Sequence, residues 1–177
     1  MQIRLSRPRR FLFCLLPLLL CAGLARAGEL ETAQKQWLAG QKPRAVATLE
    51  QALKQTPDEL KLRFALGVMK MELGELPAAL DIFNSLCQDF PDLADPFNNL
   101  AVIHAAQGDL DTARAELEQA LRLQPEHAQA QENMGDVLLR LAVRAYQRAQ
   151  AALVSPSDAL ALKLRRTQAL LVPAAAR

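Results

Sequence analysis

A 34-residue period constrains this chain more than any other feature of its sequence. When the 177 residues are cut into rows opening at Arg26, Leu60 and Ala94, four columns fall into register. One reads Gly40, Gly74, Gly108; a second Ala45, Ala79, Ala113; a third Leu49, Phe83, Leu117; the last Pro57, Pro91, Pro125. Ala, Leu, Gln and Glu dominate and β-branched residues are few, so each row is expected to fold as two helices and the whole chain as all-α. The glycine should close the first helix with a left-handed turn. The proline should end the second helix and open the next. Thr56-Pro57-Asp58-Glu59 fits a capping box, and Asp95-Pro96 fits an N-cap followed by a proline at the first helical position.

Small residues recur where paired helices must approach closely. Ala33, Gly67 and Ala101 share one column, with Leu66 and Leu100 beside them as knobs. His104 lies one turn beyond Ala101 on the same face and is expected to fill space between the paired helices. His127 follows Pro125-Glu126 at a helix start and is expected to be exposed.

On these residues the stretch ADPFNNLAVIHAAQGDLDTARAELEQALRLQPEH, residues 94–127, resembles a tetratricopeptide repeat. Residues 60–93 match the same pattern and 26–59 match it more weakly. The resemblance implies a right-handed superhelical stack of hairpins whose first helices line a concave groove for peptides or partner proteins. It implies scaffolding rather than catalysis.

After His127 the pattern changes. A fourth repeat begins, with Asn133, Met134 and Gly135 in their columns, but no turn residue follows. Ala142, Tyr146 and Ala149 repeat the second-helix spacing about five residues early, so the turn is deleted and one fused helix over about 127–153 is predicted. Ser155-Pro156-Ser157-Asp158 fits another capping box and opens a final helix that caps the stack. The domain layout is a leader at 1–27, a repeat domain at 28–153 with its degenerate fourth repeat at 128–153, and a capping helix and tail at 154–177.

The leader has its own signature. Arg4, Arg7, Arg9 and Arg10 precede the apolar run FLFCLLPLLLCAGLA, which ends in Ala25-Arg26-Ala27. This pattern reads as a secretory signal peptide cleaved between Ala27 and Gly28, releasing a soluble periplasmic protein for which membrane contact is not expected. Cleavage removes five of the 21 basic residues and none of the 19 acidic ones, leaving a net charge of −3 and no basis for a nucleic-acid partner. It also removes Cys14 and Cys21, so Cys87 has no internal disulfide partner.

Function is read from the surfaces that packing leaves over. No nucleophile sits in a pattern with a base, the two histidines lack metal-ligand spacing, and each glycine is isolated. No enzyme, cofactor or metal is therefore expected. The first-helix positions outside the packing columns are Lys61, Phe64, Val68 and Met71, then Asp95, Asn98, Val102 and Ala105, then Gln129, Glu132 and Asp136. They are expected to line a groove for another protein or an extended segment that is basic and carries an apolar anchor. Some tetratricopeptide proteins clamp a C-terminal carboxylate with lysine and asparagine. The matching column here reads Glu31, Ala65, Asn99 and Asn133 without a base, so Asn99 and Asn133 are expected to bond within the stack.

Residues 137–177 hold one acid, Asp158, against seven bases, and Arg140, Arg144 and Arg148 form a stripe along the fused helix. The alternative reading is a structural subunit of a cell-envelope complex that acts through these C-terminal helices.

Overall fold

A computed structural model describes residues 28–171. Eight helices and no strand occur among them: α1 (28–38), α2 (Lys42–Gln55), α3 (Leu60–Glu72), α4 (Leu76–Asp89), α5 (Ala94–Gln107), α6 (Leu110–Leu123), α7 (Ala128–Ala152) and α8 (Asp158–Leu170). The predicted leader and residues 172–177 lie outside the described residues. The chain divides into two compact units, Met1–Met69 and Lys70–Arg177.

The turn inside each repeat is the same object three times. Gly40, Gly74 and Gly108 have φ of 75°, 77° and 86°, a conformation that a side chain disfavours. The amide of each glycine donates to the carbonyl three residues back: Trp37, Met71 and Ala105. The next amide reaches five back, to Gln36, Lys70 and His104. This paired bonding satisfies the helix-end carbonyls and reverses the chain.

The prolines meet half of the expectation, ending the second helix of each repeat but not opening the next. Pro57, Pro91 and Pro125 do not start helices; each follows a C-cap residue, Thr56, Phe90 or Gln124. The amides of Glu59, Leu93 and His127 donate to the carbonyls of those same residues, closing four-residue turns with proline second. Proline suits that position because its φ is already fixed near the value the turn requires. The Thr56 to Glu59 capping box is therefore such a turn, and the Thr56 hydroxyl donates backwards to the Ala52 carbonyl at 3.2 Å. Asp95-Pro96 likewise lies inside α5, whose N-cap is Leu93. At α8 the cap is Ser157, which accepts from the Leu160 amide at 3.3 Å, rather than Ser155.

The small-residue columns are packed as expected. In the first unit Ala33, Ala45 and Leu49 are fully buried, and the Thr48 hydroxyl donates to Gln36 Oε1 across α1 and α2 at 2.8 Å. Lys42 sits 4.9 Å above the Trp37 ring, a cation–π contact beside the first turn. In the second unit Ala79, Phe83, Ala113 and Leu117 are fully buried and Ala101 is 1% exposed. One cluster joins Ala101 on α5, Ala113 and Leu117 on α6, and Ala130 and Val137 on α7. Residues 128–152 form one uninterrupted helix, matching the predicted loss of the fourth turn.

His127 is not the exposed residue that the sequence suggested. Its side chain is 12% exposed, its Nδ1 accepts from the Ala130 amide at 3.3 Å, and its Nε2 lies 3.0 Å from Asp95 Oδ1. An acceptor at Nδ1 requires the proton on Nε2, which then donates to Asp95. One ring thus caps α7 and ties it to α5. His127→Ala should cost about 1 kcal/mol, the usual value of a lost cap. His127→Asn should keep most of that. Urea unfolding of both variants checks this, and an unchanged midpoint for His127→Ala would refute it.

Candidate functional site

The groove residues expected from register fall into distinct groups. Lys61 is exposed on α3 of the first unit, and Phe64 and Val68 are half-buried there. In the second unit Met71 is half-buried at the end of α3. Asp95 remains exposed but bonds to His127. Asn98 is buried at 6% exposure, its Oδ1 accepting from Asn133 Nδ2 across α5 and α7 at 2.8 Å. Asn99 donates to the Asp95 carbonyl at 2.8 Å, so both asparagines bond within the stack. Gln129 and Glu132 are exposed and lie 3.4 Å apart as donor and acceptor.

Val102 and Asp136 are brought together. They line a cleft of about 410 Å³ with Ala105, Asn133, Val137 and Arg140, walled also by Leu170 of α8 and its C-cap residue Leu171. Its apolar surface comes from Ala101, Ala105 and Ala106 of α5, Leu117 of α6 and Val137 of α7. That surface is apolar because Ala101, Leu117 and Val137 belong to the buried core between the helices; its rim is polar because Asp136 and Arg140 of α7 also face water.

The arginine stripe is partly committed to the fold. Arg140 Nη1 donates to the Ala105 carbonyl at 2.7 Å, meeting an acceptor in the last turn of α5. Arg144 Nη2 lies 2.7 and 2.8 Å from the two carboxylate oxygens of Asp111 at the start of α6. The Arg144 guanidinium holds the Asp111 carboxyl below its ordinary value. Arg148 is exposed. These pairings link α7 to the preceding hairpin, a use that helical spacing within α7 alone does not disclose.

A second polar cluster lies between the paired helices. His104 Nδ1 is 2.9 Å from Glu116 Oε2, with the two side chains 21% and 16% exposed. Burial raises the Glu116 pKa against the lowering effect of the His104 hydrogen bond. Burial first, and then the Glu116 charge, push the Cys87 thiol up to about 11. A thiol that holds its proton at neutral pH is a poor nucleophile. Among the described residues no group of three His, Cys, Asp or Glu side chains could hold a metal ion.

Sequence comparison matches the tetratricopeptide repeat model to residues 30–94 and a second TPR repeat model to residues 103–141. The chain belongs to the tetratricopeptide repeat family. No curated protein sequence matches it. Its fold is shared with the first TPR of Spaghetti (RPAP3) bound to the HSP90 peptide SRMEEVD, at TM-score 0.61 and 16% identity over 66% of this chain and 93% of that one. MamA from Desulfovibrio magneticus RS-1 aligns at TM-score 0.60 and 15% identity over 82% of this chain and 75% of that one. YrrB, described as a TPR protein with an unusual peptide-binding site, aligns at 0.56 and 24% over 60% and 55%. At these identities the likeness is one of fold. No helix among the described residues is long and apolar enough to cross a membrane.

Proposed function

We propose that this tetratricopeptide protein is an exported, periplasmic adaptor that binds an extended segment of another protein and performs no catalysis. The observation that carries the reading is the cleft between α5 and α7, where Val102 and Ala105 offer apolar contact beside the exposed Asp136. An apolar floor supplies most of the affinity in such a site, and a rim charge selects the partner and speeds its approach. Arg140 donates to the Ala105 carbonyl, while Asp136 and Glu132 present carboxylates along α7. A segment with an apolar anchor and a nearby cation fits this pattern. Peptide recognition by RPAP3 and YrrB adds support by analogy of fold. Export rests on the leader sequence, with Gly28 as the mature N-terminus.

The test is capture in the compartment itself. Tagged protein is recovered by osmotic shock after cross-linking in intact cells, its N-terminus is sequenced, and the captured partner is quantified. The expected N-terminus is Gly28. Asp136→Lys and Val102→Ser should each lower capture about fivefold or more, the equivalent of roughly 1 kcal/mol. Glu118→Lys, on an exposed α6 position paired with Arg114, should leave it unchanged. Equal capture by all three variants would reject the groove.

One observation favours the second reading, a structural subunit of an envelope complex. Leu138, Leu153, Val154 and Leu162 on and between α7 and α8 are 41% or more exposed. Assembly through that surface would be lost in a Leu138→Ser, Leu162→Ser variant that still captures through the groove.

A further inference from the structure

The α7–α8 hairpin has an outer surface that neither the stack nor the cleft uses. α8 packs against α7 through Leu160, Ala161, Leu164 and Thr167, its half-buried positions at helical spacing. Its opposite side faces water and carries Leu162, 41% exposed, together with the exposed cations Lys163, Arg165 and Arg166. The corner that joins the two helices adds Leu153, 46% exposed, and Val154, which is fully exposed. Leu162 lies only about 6 Å along the axis from the first residue of α8. Three large apolar side chains therefore gather at one convex end, with the cations in the turn behind them.

The charges are free to act outward. Among the described residues Lys163, Arg165 and Arg166 form no ion pair. The one acid of the helix, Asp158, sits in its first turn. Residues 70–136 of the same unit hold 13 acids against three bases, so the unit is polarised. An anionic plane would attract the α8 end and repel the remainder, which selects one orientation.

An occupant of this surface must accept a convex apolar tip and offer spread negative charge. A protein partner would need a pocket shaped to the tip. A lipid interface needs none, because headgroups and chains rearrange around inserted side chains, and apolar residues flanked by lysine and arginine are the chemistry that binds it. Such contact is peripheral, since the 13 residues of α8 are too few to span a bilayer.

We propose that the corner at 153–157 and the outer face of α8 dock on an anionic lipid surface. Leu153, Val154 and Leu162 enter the boundary between headgroups and chains, and Lys163, Arg165 and Arg166 meet lipid phosphates. The inference rests on the apolar surface of the structural-subunit reading, names lipid as its occupant and does not depend on the groove.

Co-sedimentation with vesicles tests it, using the mature chain from Gly28 and variants whose fold is verified by circular dichroism. The unaltered chain should bind vesicles of equimolar phosphatidylglycerol and phosphatidylcholine at least about tenfold more tightly than vesicles of phosphatidylcholine alone. Raising salt from about 0.05 to 0.5 M should weaken that binding about fivefold or more. Lys163→Glu, Arg165→Glu and Arg166→Glu together should weaken it at least about tenfold. Lys35→Glu, Lys54→Glu and Arg122→Glu together make the same change of net charge at exposed positions of α1, α2 and α6, and should leave binding within about twofold. A Val154→Trp variant should gain blue-shifted emission on anionic vesicles beyond the signal of Trp37. No binding to anionic vesicles, equal losses in the two charge-reversed variants, or unshifted emission from Val154→Trp would overturn the proposal. Binding to polyglutamate but not to vesicles would overturn it in favour of an acidic protein segment. Assembly that depends on Leu138 and Leu162 without vesicle binding would retire the lipid surface and leave the structural-subunit reading standing.

Discussion

Phe83→Ala should be the most damaging single substitution in the second unit, costing about 3–5 kcal/mol. Phe83 has no exposed surface and occupies the column that holds Leu49 and Leu117 in the neighbouring repeats. Truncation removes the buried ring and leaves a void that close-packed alanines such as Ala79 have no side chain to fill. The loss is a large share of the roughly 5–15 kcal/mol that holds a domain together. Urea titration followed by helical circular dichroism measures it. A loss under about 1 kcal/mol would mean that the site collapses, contrary to its packing.

Ala101→Leu should cost about 1–3 kcal/mol for the opposite reason, because the added carbons have nowhere to go. Ala101 is 1% exposed within the cluster formed with Ala113, Leu117 and Val137, where close helix approach requires a methyl group or less. The same change at the exposed Ala115 of α6 should fall within about 0.5 kcal/mol of neutral. Comparing the two midpoints separates crowding from any general effect of leucine. If Ala101→Leu is as mild as Ala115→Leu, the packing register drawn from the 34-residue period is wrong.

Much of the architecture was legible because it rests on residues with one physical meaning. A glycine every 34 residues marks a left-handed turn, and the alanines of the packing columns mark close helix contact; all of these columns hold in the structure. The helix starts were less legible. Proline suits both the second position of a tight turn and the first position of a helix, and Thr56-Pro57-Asp58-Glu59 satisfies either pattern; the Glu59-to-Thr56 bond decides for the turn. Within the candidate site, the sequence located Val102 and Asp136 on one face. It did not reveal that Asn98 is buried against Asn133 or that His127 holds Asp95, since these contacts join residues 35 and 32 positions apart. The sequence also indicated that α8 would cap the stack without indicating that its last turn enters the cleft, because reversal after Leu153 sets that geometry.

Gly135 falls in the column of Ala33, Gly67 and Ala101, yet it is exposed, and a side chain there would meet nothing within 4 Å. It has the small size of an interlocking position, and no helix among the described residues interlocks with it. Because α7 runs straight through the place where a turn would send the chain back, the periodic lattice ends with a site that cannot template its successor. The length of the array is thus encoded as a growth stop: a repeat can be inserted within the period before α7, but none can be added after it without first restoring a corner.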